Sequence, residues 1–140
     1  MALKLKLKAN EKIMVGGIAF QNGNKKTELS LLSDAVVLRG RDILTEESAN
    51  SPALRIYYTV QLMYMAGGFM ESSKHHDLYW SLVNDFAKAC PNGYVAKLLG
   101  DISSSIMDEE LYKALKLCKD LIQYEKGVFD YVFNDSSTGS

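Results

Sequence analysis

A chain of 140 residues is about one domain long, enough to bury roughly two-thirds of its unfolded surface without disulfides. Hydrophobic residues at 47%, charged residues at 24% and only two prolines exclude a disordered tail and a fibre. A net charge of −1 excludes a uniformly basic surface, so any field that attracts nucleic acid has to be local.

The charge is unevenly divided. Residues 1–45 hold eight Lys and Arg against four acids, a net +4, which leaves −5 for the remainder. The apolar period changes at nearly the same point, from alternation and short runs to helical spacing. The expected fold class is therefore α+β, in one compact unit. A small antiparallel β-sheet or open barrel occupies the basic half, 1–45, and a bundle of about four helices fills 46–135. A polar, flexible tail follows at 136–140.

Leu3, Leu5 and Leu7 alternate with Lys4, Lys6 and Lys8, which predicts a strand with leucines on one face and ammonium groups on the other. Ala9-Asn10-Glu11 reads as a turn, Lys12 to Val15 as a second strand, and Gly16-Gly17 as a bulge or sharp bend before Ile18-Ala19-Phe20. Asn22-Gly23 is the strongest hairpin signal in the half, because both residues tolerate positive φ. Thr27 to Leu32 and Ala35 to Leu38 complete five short strands.

Ser51-Pro52 predicts an N-cap followed by proline at the first helical position. The helix it opens, to about Met65, is apolar nearly all round, so it is either the central helix or an oligomer seam formed by Tyr57, Val60, Met63 and Tyr64. Gly67-Gly68 stops it, Ser72 or Ser73 can cap a second helix to about Ala89, and Cys90-Pro91-Asn92-Gly93 is a break. A third helix covers about Tyr94 to Ile106. Asp108 is expected to cap a long last helix, with Leu111, Leu115, Cys118, Leu121 and Ile122 on its apolar face.

The chain offers little catalytic chemistry. His75-His76 cannot grip one metal from a regular helix, because adjacent side chains point about 100° apart. Asp108-Glu109-Glu110 is what the first turn of a helix already favours. Cys90 and Cys118 have no thiol or histidine at metal spacing, so reduced cysteines, no metal and no cofactor are expected. No apolar run reaches the roughly 18 residues of a membrane span, and no secretory leader is seen, so a cytoplasmic protein that is not an enzyme is expected.

The basic half remains. Lys4, Lys6, Lys8 and Lys12 with Arg39 and Arg41 are the candidate RNA-binding residues, since arginine's planar fork recognises phosphate and guanine edges. Residues 39 and 41 share a parity, so in a strand they face the same way. Two alternatives stand beside this reading: alternating lysines also guard sheet edges, and Arg39 and Arg41 could pair with Glu46 or Glu47 as a clasp between halves.

Four blocks in order, LKLKLKANEKIMVGG (3–17), VLRGRDIL (37–44), RIYYTVQLMYM (55–65) and YKALKLCKDLIQYE (112–125), resemble the FlbT family of flagellum biosynthesis regulators. The resemblance implies a small cytoplasmic regulator that binds the 5′ untranslated leader of flagellin messenger RNA, represses its translation or promotes its decay, and works alongside a second regulator, FlaF. It assigns no RNA contacts to residues. A fainter similarity links Leu3 to Gly16 and Arg39 to Leu44 with the carbon storage regulators, β-sheet dimers that bind messenger leaders, and a homodimer is expected here too. The competing expectation is a protein-interaction module or chaperone that binds flagellin or FlaF through the helical half.

Overall fold

A computed structural model describes residues 3–66 and 75–138. Five strands come first: β1 (Leu3–Leu7), β2 (Lys12–Val15), β3 (Ile18–Gln21), β4 (Thr27–Leu31) and β5 (Val37–Arg39). They form two small unclosed antiparallel sheets, one of β1 and β4 and one ordered β3-β2-β5. Four helices follow: α1 (Pro52–Ala66), α2 (His76–Ala89), α3 (Gly93–Met107) and α4 (Leu111–Thr138). This is the expected α+β class. None of the described helices is long and apolar enough to cross a membrane.

The hairpin lies elsewhere than the strongest turn signal suggests. Val15 pairs with Ile18, so Gly16-Gly17 is a two-residue hairpin loop, and both glycines sit in the left-handed region at φ 58° and 83° as a type I′ turn requires. Asn22-Gly23 makes no hairpin. With β3 already folded back on β2, the next strand crosses to the other sheet, where Leu3 pairs with Leu31 and Leu7 with Thr27. Asn22 instead anchors the crossing: its amide donates to the Lys8 carbonyl at 2.8 Å and the Lys25 carbonyl at 2.9 Å.

The alternation in β1 sends Leu5 and Leu7 onto Ile13 of β2, and these three buried residues, flanked by Val15, Leu31 and Val37, are the whole core between the sheets. On the other face of the larger sheet, Leu38 and Met14 belong to the main core with the helices. The layers are thus small sheet, larger sheet and helical half.

Helix α1 is the central helix, packed between α2 and α4. Ala53, Ile56, Tyr57, Val60 and Met63 are buried within the single chain. Three of the four residues read as an oligomer seam therefore have no surface for a second copy, and only Tyr64 is partly exposed. The apolar circumference reflects burial on several sides by the chain's own elements.

Side chains cap the starts of α1 and α3, while His75 makes no side-chain cap at α2. The Ser51 hydroxyl accepts from the Leu54 N–H at 3.3 Å, and Glu125 of α4 accepts the Ser51 hydroxyl and, at 2.8 Å, the Ala53 N–H, so two carriers of oxygen cap α1. Asn92 caps α3 by accepting from Val95 N–H at 2.9 Å. Asp108 caps no helix start; it closes the C-terminus of α3, and Glu109 turns the chain at φ 60° before α4 begins. Helix α4 continues through Ser136 and Ser137 to Thr138, residues expected in a flexible tail. Gly67, Gly68, Ser72 and Ser73 lie outside the described residues.

The stretch after β5 is fastened to the helices by polar side chains. Gln61, 4% exposed, accepts the Leu44 N–H at 2.8 Å and donates to the Leu44 carbonyl at 2.9 Å. The Tyr57 hydroxyl donates to the Asp42 carbonyl at 2.6 Å, and Lys119 of α4 pairs with the Asp42 carboxylate. Replacing Gln61 with Leu leaves both backbone groups of Leu44 without these partners. Gln61→Leu should cost about 2–4 kcal/mol in denaturant unfolding, two buried bonds at 1–3 kcal/mol each less the gain of an apolar side chain.

Candidate nucleic-acid interface

Four of the six candidate cations converge. Lys6 of β1, Lys8 just beyond it, Arg39 at the end of β5 and Arg41 line one cavity of about 350 Å³, together with Glu11. The Arg39 side chain bridges the two sheets: its Nη1 donates to the Lys6 carbonyl at 3.0 Å and to Glu11 Oε2 at 3.0 Å. The second oxygen of Glu11 accepts the Lys8 N–H at 2.8 Å, which makes Glu11 the brace between the β1–β2 turn and β5. Sequence reasoning did not single out Glu11: its contact with Lys8 is local, but Arg39, the partner that makes it a brace, is 28 residues away.

Arg41 reaches the cavity by a route other than strand parity. The strand ends at Arg39, and Gly40–Asp42 is a 3-10 turn that swings Arg41 back toward the cavity. Gly40 is required by close approach: a Cβ there would stand 2.6 Å from the Lys12 carbonyl oxygen. The proposed clasp to Glu46 or Glu47 is replaced as well. Arg39 pairs with Glu11 inside the sheet half, and the tie to the helices is made by Asp42.

Lys4 and Lys12 stand apart. Lys4 is 3.9 Å from Glu28 on the neighbouring strand, both well exposed, an arrangement worth little energy. Lys12 opens β2 opposite Gln21 and does not line the cavity.

The electrostatics suit an anion. Four cations and one carboxylate surround the cavity, a net +3 on a chain whose total is −1. Glu11 is held below the ordinary carboxylate value of 4.5, above all by the Lys8 backbone N–H; desolvation, the next largest effect, opposes this, and the Arg39 hydrogen bond and charge add to the lowering. It stays charged, so it aligns Arg39 without leaving the cavity. Elsewhere the chemistry is spare. Burial pushes the Cys118 thiol far up, which removes it as a nucleophile, and Cys90 is a free half-buried thiol. His75 and His76 sit half-buried at the start of α2. Among the described residues no group of three or more His, Cys, Asp or Glu could hold a metal ion.

Two outcomes follow from this geometry. Gly40→Ala has to force two backbones apart and should cost about 1–3 kcal/mol in chemical unfolding, whereas Gly23→Ala, with open space around it, should cost less than half as much. Because Glu11 titrates lower in the folded chain than in the unfolded one, its contribution is complete above the ordinary carboxylate value and disappears as pH falls through the folded value. Thermal melts should show the wild type above Glu11→Gln at about pH 7, with the gap closing below about pH 4.

The family described as flagellar protein FlbT matches residues 3–129, which include every residue of the cavity. A probable flagellum biosynthesis repressor protein FlbT 1 from Bradyrhizobium diazoefficiens is 39% identical over 127 residues, 90% of this chain and 84% of that protein. A flagellum biosynthesis repressor protein FlbT from Caulobacter vibrioides is 34% identical over 139 residues, 99% of this chain and 97% of that protein. No solved structure matches the chain. With the family match spanning nearly all of the described strands and helices, and relatives of this identity over almost their full lengths, the chain belongs to the FlbT family of flagellar proteins.

Proposed function

We propose that this chain is a repressor of flagellum biosynthesis that acts on messenger RNA. It binds the 5′ untranslated leader of flagellin transcripts in the cytoplasm and lowers their translation or shortens their life. The names of its relatives support the repressor role. The observation that carries the RNA reading is the convergence of Lys6, Lys8, Arg39 and Arg41 on one cavity, a cationic recess on an otherwise acidic chain.

The roles divide by geometry. Lys6 and Lys8 supply point charges to phosphates, and Arg41, exposed on its turn, presents a planar fork to a phosphate or a guanine edge. Arg39 is held by Glu11 and the Lys6 carbonyl, so it serves the cavity's shape as much as its charge. An RNA strand held there would hide the leader from the translation machinery without any covalent chemistry.

Binding of a labelled flagellin leader over a range of salt concentrations tests the assignment. Four cations on single-stranded RNA give a log–log slope of about −3. Lys6→Gln/Lys8→Gln/Arg41→Gln should flatten it to about −1, while Lys4→Gln/Lys12→Gln leaves it nearly unchanged. Equal flattening by both variants would spread the site over the whole basic half, and flattening by neither would place RNA elsewhere. Arg41→Lys keeps charge and loses the fork, so it should cost about 1–3 kcal/mol on the cognate leader and much less on unrelated RNA.

A further inference from the structure

We propose that the outer edge of β3 pairs antiparallel with β3 of a second copy of this chain, joining two three-stranded sheets into one of six strands. β3 hydrogen-bonds β2 on one side only. All four of its residues are exposed, with Ile18 at 60% and Phe20 at 50%. Natural sheets protect such edges with charges, prolines or bulges. Ile18-Ala19-Phe20-Gln21 has no charge and no proline, and its register with β2 is unbroken from Lys12–Gln21 to Val15–Ile18.

The other free edges are guarded. β4 carries Glu28, which pairs with Lys4, and follows directly on Lys25 and Lys26. The edge of β1 is occupied at Lys6 by Arg39. Only β3 is bare.

The stretch also fits itself. In a two-fold antiparallel pairing centred on Ala19, Ile18 of one copy faces Phe20 of the other, twice, a β-branched residue against an aromatic one. Such a pairing sets each residue against others from the same stretch, so any charge close to the centre meets a like charge or an apolar side chain. From Ile13 to Asn24 there is no charged residue at all. That neutrality favours a second copy over a polyanion, which would need cations at the edge. Phe20 further lines an apolar groove of about 350 Å³ with Leu29 and Leu31, so Ile18 of the second copy comes to rest at the mouth of that groove. Four residues a side make a small contact, of the size class of weak, transient associations.

Sedimentation of the full chain from about 1 to 100 µM should show a concentration-dependent dimer. Ile18→Glu and Phe20→Lys, both at exposed positions, should each raise the dimer dissociation constant at least tenfold while circular dichroism and melting stay close to wild type. Mixing the two variants supplies the decisive arm. The proposed register sets the introduced glutamate against the introduced lysine at one pair and leaves the native pair at the other, so the mixture should form a heterodimer. A wild type that stays monomeric over the whole range overturns the proposal and leaves the edge to a heterologous strand. Variants that dimerise as the wild type does overturn it too, and failure of the mixture to associate overturns the register centred on Ala19.

Discussion

Gln61 carries a side-chain amide into the interior of the helical half, and an amide can sit there only if both its ends are bonded. Its two partners are the N–H and the carbonyl of Leu44. The segment after β5 is thereby laid along α1 in one register. Tyr57 then meets the Asp42 carbonyl one turn away, and Lys119 closes on the Asp42 carboxylate from α4. Everything upstream inherits that placement. The 3-10 turn at 40–42 is fixed against the helices, Gly40 is pressed on Lys12, and Arg39 and Arg41 emerge at defined places beside β1.

What the sequence displayed most clearly was local. The leucine–lysine alternation of β1, the Ser51-Pro52 start of α1 and the break at Cys90 to Gly93 each arise from neighbours in the chain, and each appears where it was expected. The misreadings share a cause, which is that the deciding partner is distant in sequence. Asn22-Gly23 has the residues of a tight turn, but Gly16-Gly17 had already folded β3 back, so the next strand pairs with β1. The apolar ring of α1 looks the same from sequence whether its neighbours are other helices of the chain or another chain. Arg39 and Arg41 meet the same cavity through a turn that strand parity does not describe.

The candidate site was legible in part for the same reason. Composition showed that the first 45 residues are basic, and that fact alone weights eight cations equally. Topology then sorts them. Lys6 and Lys8 line the cavity, Lys4 falls beside Glu28, and Lys12 lies outside the cavity. A charge pattern that could have been a solubilising face becomes a recess because the Arg39 side chain reaches from the end of β5 to the Lys6 backbone of the other sheet, with Glu11 filling the role of a brace.

The tie between Asp42 and Lys119 spans 77 residues, and this has a bearing on synthesis. Every residue of the cavity has been synthesised by residue 41, yet only Leu5, Leu7 and Ile13 are buried between the two sheets. Sheets with so small a core are marginal alone, so the cavity gains its shape when α1 and α4 arrive to hold the 40–44 segment. A nascent or prematurely terminated chain that ends before α4 would carry all the cavity's charges without their arrangement. The cavity's arrangement is therefore a property of the finished helical half and not of the strands alone.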